Sequence, residues 1–164
     1  GRSIIPVRDE LEHVRNYLMI QQMRFKNKFT YRIEADPEVL NLASLKLMLQ
    51  PLVENAIYHG MEFMDGDGEI AVRARLEKGD LWFSVSDNGL GMTEEQVESL
   101  LREGPRAPSK HGSGIGVKNV NERIRLYFGE EYGLSIQSEP DEGTVISIRL
   151  PAMEYSEVLE KEKT

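Results

Sequence analysis

Glu69-Ile70-Ala71-Val72-Arg73-Ala74-Arg75-Leu76, Glu77-Lys78-Gly79-Asp80 and Leu81-Trp82-Phe83-Ser84-Val85-Ser86 follow one another without a break. The outer two segments alternate apolar and polar side chains, the period of a half-buried strand, and the middle one carries turn residues. Together they read as an antiparallel hairpin. Asp87 closes it and Asn88-Gly89-Leu90-Gly91-Met92 follows, so the hairpin carries a carboxylate and two glycines to a strand end.

Upstream, residues 29–34 alternate in the same way with aromatic and β-branched side chains, and Asp36-Pro37 ends that strand. Residues 45–58 are densely apolar and stop at His59-Gly60, which predicts a helix beginning near Ser44 and bending at Pro51. Residues 7–25 place Leu11, Val14, Leu18 and the run from Ile20 to Met23 at helical spacing, an amphipathic opening helix. Downstream, Thr93 followed by Glu94, Glu95 and Gln96 reads as a helix N-cap, with the helix running to about Leu101. Residues 103–113 hold Gly104, Pro105, Pro108 and Gly112 with little apolar content and read as a mobile loop. Residues 116–128 are helical again, 133–138 and 144–150 form a second hairpin, and the charged tail after Pro151 is expected to fray. Helices and mostly antiparallel strands therefore come in blocks. The expected fold is a two-layer α/β sandwich, one mixed, mostly antiparallel sheet covered by helices on one face.

With 164 residues, 40% hydrophobic and 29% charged, the chain suits one soluble domain with its own core. No segment has the length and apolarity of a membrane span or the order of a signal peptide. Gly1-Arg2-Ser3 opens without an initiator Met, as a piece of a longer protein would. The chain has no cysteine, which removes disulfides and thiolate metal sites and suits a reducing cytoplasm. A net charge of −8 argues against nucleic acid as a partner, and a bound nucleotide would have to be held locally by amides, dipoles or a metal ion.

Three constellations carry chemistry. Glu54-Asn55, with His59 and Gly60, offers hard oxygen ligands for Mg²⁺ or phosphate, or else a solvent-facing stripe. Asp87 with Gly89 and Gly91 offers an acceptor for an exocyclic amine beside backbone that can approach a ligand, or else an Asn-Gly turn. Gly112-Ser113-Gly114-Ile115-Gly116-Val117 is a glycine-rich loop entering a helix whose first turns carry Lys118, Asn119, Asn121 and Arg123, a cradle for polyphosphate or else a linker. No Gly-Lys-Ser or Gly-Lys-Thr follows, which excludes a Walker loop. In this order the parts make up what a Mg-ATP site needs.

Leu49-Gln50-Pro51-Leu52-Val53-Glu54-Asn55-Ala56-Ile57 resembles the N box of the GHKL ATPase superfamily, which groups gyrase-type topoisomerases, ATP-dependent chaperones, mismatch-repair proteins and histidine kinases. Asp87 to Met92 resembles its G1 box, Gly112 to Gly116 its G2 box, and Glu142-Gly143-Thr144-Val145-Ile146 its C-terminal Gly-Thr element, whose threonine lies near adenine. Glu10-Leu11-Glu12-His13-Val14 through Arg24-Phe25, the Gln-Pro-Leu-Val-Glu-Asn-Ala stretch and Asn119-Val120-Asn121-Glu122-Arg123-Ile124 are most similar to the autolysis-sensor, LytS/YesM-like group of bacterial histidine kinases.

The resemblance implies a Bergerat-type ATP-binding fold and transfer of the ATP γ-phosphate to a histidine outside this chain. It implies that Asp87 binds the adenine amino group, that Asn55 holds Mg²⁺, and that Gly89, Gly91, Gly112, Gly114 and Gly116 contact the nucleotide or its lid. His59, Met92, Val117, Lys118, Arg123 and Thr144 complete the expected cofactor-binding set, with Asn55 and Glu54 in the catalytic positions. Pro51 stands where hydrolysing relatives place a water-activating glutamate, and Tyr58 where many kinases place a lysine, whose charge Lys118, Arg123 or Lys110 would supply. No stretch like Asn-Pro-His-Phe, the family's phosphoacceptor context, occurs, and His13 reads as a surface or packing residue. Residues 1–26 are then the link to missing phosphoacceptor and dimerisation helices, 27–151 the ATP-binding domain and 152–164 a tail. A response regulator is the implied partner of the full-length, membrane-anchored kinase, of which this is a cytoplasmic part. The piece itself is expected to be monomeric unless exposed residues such as Leu18 self-associate. An anti-sigma-type serine kinase and a nucleotide-binding module without transfer activity are the alternatives.

Overall fold

A computed structural model describes residues 3–61, 64–103 and 116–162. Its centre is a five-stranded sheet in the order β2-β4-β5-β7-β6, formed by β2 (Phe29–Ala35), β4 (Gly68–Glu77), β5 (Asp80–Asp87), β6 (Gly133–Glu139) and β7 (Gly143–Pro151). Only the β2–β4 pair is parallel, so the sheet is mixed and mostly antiparallel as expected. The register stacks Val72 on Val85 on Ile146 on Ile136, and Ala74 on Phe83 on Ile148 on Leu134. This face is the core. The alternate residues Arg73, Ser84 and Ser147 share the other, polar face, as period-2 side-chain alternation requires.

α1 (Val7–Arg24), α2 (Gln50–Asn55) and α4 (Val117–Phe128) contribute to the same core. α1 buries Val7, Leu11, Val14 and Leu18, one stripe at three- and four-residue steps. Leu18 is fully buried and cannot serve as a self-association surface; the exposed apolar residues of this helix are Met19, Ile20 and Met23. α3 (Glu94–Glu103) starts at the capping box read from the sequence. Thr93 Oγ1 accepts the Gln96 N–H at 3.2 Å, and Gln96 Oε1 accepts the Thr93 N–H at 2.9 Å.

Three expectations are corrected. The helix expected from Ser44 begins only at Gln50: Ala43–Leu45 is a strand, β3, paired antiparallel with β1 (Ile4–Pro6). Pro51 does not bend the helix but sits in its first turn, where a missing N–H costs nothing. Beyond Asn55 the chain continues as a wider π-helical turn, Ala56–Met61. The tail does not simply fray. Leu42 bridges to Glu154, the Tyr155 N–H donates to the Asn41 carbonyl at 3.0 Å, and α5 (Tyr155–Glu162) lays Tyr155 and Val158 against the core.

Between β3 and α2 lies an arrangement with no counterpart in the sequence reading. Glu10 of α1 is buried, and its carboxylate accepts the backbone N–H groups of Leu47 at 3.0 Å, Met48 at 2.8 Å and Leu49 at 2.8 Å. Burial raises the Glu10 pKa above its ordinary value, more than these amides and the nearby His13 lower it. Glu10→Ala would leave two buried donors and one part-buried donor without their acceptor and should lower stability by about 2–4 kcal/mol in urea denaturation. Glu10→Gln, which keeps one accepting oxygen, should fall between Ala and the parent.

Candidate functional site

β5 ends on Asp87, two residues after the core residue Val85 and therefore on the same face of the sheet. Asp87 stands between Ile70 of β4 and Thr144 of β7, and Thr144 in turn faces Ser138 of β6. A carboxylate thus terminates an apolar row. Asp87 Oδ1 accepts the Gly89 N–H at 2.8 Å, and the carboxylate also takes a backbone hydrogen bond from Thr144. Burial pushes its pKa from 3.8 up to about 6, and those two hydrogen bonds offset only part of the rise.

The loop after Asp87 is held by backbone contacts that need glycine. A Cβ on Gly89 would lie 2.4 Å from the Gly60 Cα, so the π-helical turn and this loop meet main chain to main chain. Gly91 has φ +69°, and a Cβ there would lie 1.9 Å from the Glu139 carbonyl oxygen. Asn88 ties the loop to the sheet: its Nδ2 donates to the Asp67 carbonyl at 2.9 Å, and its Oδ1 accepts the Glu69 N–H at 2.8 Å.

A narrow cavity results, lined by Asn55, His59, Gly60, Asp87, Gly91, Met92 and Thr144. Two of the three constellations, far apart in sequence, therefore converge with Thr144 of the Gly-Thr element. Asn55 and Met92 are buried, and His59 is exposed at the rim. Asp87 and Thr144 also line an adjoining cleft of about 710 Å³ between α3 and the β6–β7 hairpin.

Other expected residues lie elsewhere. Glu54 is buried but does not line the cavity: its Oε1 accepts from Gln50 Nε2 at 2.9 Å, and Gln50 Oε1 meets His13 Nε2 of α1 at 2.9 Å. One residue step rotates a helix by about 100°, which separates Glu54 from Asn55. The Tyr58 hydroxyl donates to Gln21 Oε1 at 3.4 Å and its ring meets Phe25 edge-on, so it too turns to α1. In α4, Val117 is buried, Lys118 pairs with Glu122 at 3.7 Å, and Arg123 donates to the Lys46 carbonyl at 2.9 Å. None of these lines the cavity. Gly116 is the N-cap of α4, and among the described residues no side chain caps that helix. Gly112, Gly114, Lys110 and His111, with the expected loop after Glu103, lie outside the described residues.

Sequence reading missed Ser138. Its Oγ accepts the Met92 N–H at 2.8 Å, lies 2.9 Å from the Gly143 carbonyl and 2.8 Å from Thr144 Oγ1. The available signal was its place two residues after Ile136, a polar residue on the inward side of an alternating strand.

This fold and site define the histidine kinase-, DNA gyrase B- and HSP90-like ATPase family, whose model matches residues 41–154, and the chain belongs to it. A second model, described as histidine kinase, matches residues 1–29. Curated relatives include the sensor histidine kinase YesM of Bacillus subtilis, 39% identical over 92% of this chain, the sensor protein LytS of Bacillus anthracis, 37% over 90%, and the sensor histidine kinase BtsS of Escherichia coli K12, 35% over 91%. The chain spans only 24%, 25% and 24% of those proteins, respectively. Among solved structures, the catalytic domain of histidine kinase ThkA has the same fold, with a TM-score of 0.66 at 17% identity over 92% of this chain and 96% of that one. The histidine kinase domain of an Erythrobacter litoralis blue-light activated kinase gives 0.62 at 16% identity over 98% and 69%.

The raised Asp87 pKa carries a stability cost with a defined sign. A carboxyl whose folded pKa lies above 3.8 is unpenalised below about pH 4 and progressively penalised as pH rises through about 6. Asp87→Asn should therefore stabilise the ligand-free chain at pH 7 by roughly 1–3 kcal/mol, and by much less at pH 4, in thermal melts at both pH values.

Proposed function

We propose that this chain is the ATP-binding catalytic domain of a two-component sensor histidine kinase, which passes the ATP γ-phosphate to a histidine outside residues 1–164. The observation that carries the reading is the Asp87 carboxylate, set at the end of an apolar strand in a cavity shared with Asn55, His59, Gly91, Met92 and Thr144. An ionised carboxylate accepts hydrogen bonds and gives none, so it suits the exocyclic amine of adenine and opposes the carbonyl that guanine has there. Asn55 supplies an amide oxygen of the kind Mg²⁺ accepts. Bound Mg²⁺ would neutralise phosphate charge during transfer. The N-terminus of α4, at Gly116 and Val117, which no side chain among the described residues caps, offers amides to phosphate, joined in this reading by Gly112 and Gly114 and by the charge of Lys118.

Pro51 favours transfer over hydrolysis. It is buried in the first turn of α2 and has no group that could activate water, whereas a kinase takes its nucleophile from another domain. In this reading residues 27–151 are the catalytic unit, 1–26 lead to the phosphoacceptor and dimerisation helices, and 152–164 form the tail. The whole protein would be a membrane-anchored receptor with this part in the cytoplasm, although no helix among the described residues is long and apolar enough to cross a membrane. ThkA has been solved with the response regulator TrrA, and we assign a response regulator to the full-length kinase here by analogy. The isolated chain, without dimerisation helices, should be monomeric.

Isothermal titration with a nonhydrolysable ATP analogue should give saturable, Mg²⁺-strengthened binding, with a GTP analogue much weaker. Affinity should fall as pH drops through about 6, where Asp87 takes up a proton, and Asp87→Asn should abolish it. Unchanged affinity in that variant, or equal binding of GTP, would overturn the assignment. With γ-labelled ATP the chain alone should stay unlabelled, and label on His13 would contradict an acceptor outside it.

A further inference from the structure

We infer that Ser138 is a positioning residue that makes the Thr144 hydroxyl an acceptor toward the cavity, and so sharpens selection of a purine bearing an amino rather than a keto group at position 6. The inference rests on the nucleotide reading above and adds a residue that no motif contains. Three contacts meet at Ser138 Oγ: the Met92 N–H at 2.8 Å, the Gly143 carbonyl oxygen at 2.9 Å and Thr144 Oγ1 at 2.8 Å. A serine hydroxyl has one hydrogen. The Gly143 carbonyl has none, so a hydrogen bond there must use the serine's. The contact with Thr144 then needs the threonine's own hydrogen, donated to Ser138. This is the one arrangement in which every contact holds a hydrogen.

The consequence falls on the cavity. With its proton committed to Ser138, Thr144 Oγ1 has only lone pairs left for a ligand. It sits in register beside Asp87, and both residues line the cavity. The wall therefore presents two neighbouring acceptors. An amino group, or a water donating on its behalf, is satisfied there, while a carbonyl oxygen meets lone pairs on both sides. Without Ser138 the threonine hydroxyl could rotate and donate to a keto group, and discrimination would rest on Asp87 alone.

ATP and inosine triphosphate share sugar and phosphates and differ at the purine edge, so their affinity ratio isolates this effect. Binding of both would be measured for the parent chain, Ser138→Ala, Ser138→Thr, Thr144→Val and the Ser138→Ala/Thr144→Val double variant, with melting temperatures alongside. Ser138→Ala should lower the ratio of ATP to inosine triphosphate affinity about five- to tenfold, chiefly by tightening inosine triphosphate, Ser138→Thr should restore the ratio, and Ser138→Ala should not change it further on Thr144→Val. Equal losses for both nucleotides, or a loss of ratio that persists on Thr144→Val, would overturn the role, because a purely structural serine acts that way. If Ser138→Ala does not fold, Thr144→Val with Ser138→Cys carries the same comparison, since a thiol is a weak hydrogen-bonding group. A parent chain that fails to prefer ATP overturns the adenine reading itself, and that result precedes any variant.

Discussion

The turn at Lys46 to Leu49 is where three helices are tied together, and the position of the site follows from it. Leu47 has φ +61°, a left-handed conformation that costs a residue with a Cβ roughly 1–2 kcal/mol. That geometry aims three successive N–H groups at Glu10, a concave amide array of the kind that binds anions. Arg123 of α4 donates to the Lys46 carbonyl of the same turn. An acceptor from α1 and a donor from α4 thus fix the start of α2, whose own Leu49 supplies no side-chain cap. From there the helix runs to Asn55 and the π-helical turn to Gly60, which meets Gly89 beside Asp87. Both ends of the segment carrying Asn55 are therefore pinned.

This chain of constraint explains what was legible in the sequence. The two hairpins, the capped helix α3 and the strand-end carboxylate are encoded locally, by period-2 alternation, by a Thr-x-x-Gln box and by glycines next to Asp87. Asn55, His59, Gly91, Met92 and Thr144, each singled out from local motifs, line one cavity. The start of α2 was illegible because Ala43-Ser44-Leu45 is too short to show a period of its own, and pairing with Ile4–Pro6 decides the matter across nearly forty residues of chain. Glu10 was hidden for the same reason: its partners are on another element. Arg123 shows the same non-locality: read from the sequence as a phosphate ligand, it also donates to a carbonyl that local sequence could not supply.

α2 separates two duties over adjacent residues. Asn55 faces the cavity, while Glu54, through Gln50, is joined to His13 of α1, and Tyr58 reaches Gln21 of the same helix. Gln21 and Glu10 are polar residues on the buried stripe of α1, where apolar side chains would pack more simply. Hydrogen bonds fix an angle between helices that dispersion contacts alone would leave softer. If Asn55 offers its amide oxygen to Mg²⁺ as proposed, the helix would have to hold it to within a fraction of an ångström, and polar anchoring of its opposite face would provide that.

Electrostatics then sets the direction in which a nucleotide would lie. The cleft beside Asp87 and Thr144 is lined by Glu94, Glu98, Glu139 and Glu142, and Glu139 pushes the Glu142 pKa upward. Such a wall repels phosphates and tolerates a neutral base or sugar. The chain carries a net charge of −8, so no general attraction compensates. In the proposed reading, polyphosphate would accordingly lie away from the α3–β6 side, toward the N-terminal amides of α4. On the same reading, base recognition at Asp87 would fix the adenine end, and repulsion by the acidic cleft would turn the phosphate end away from it.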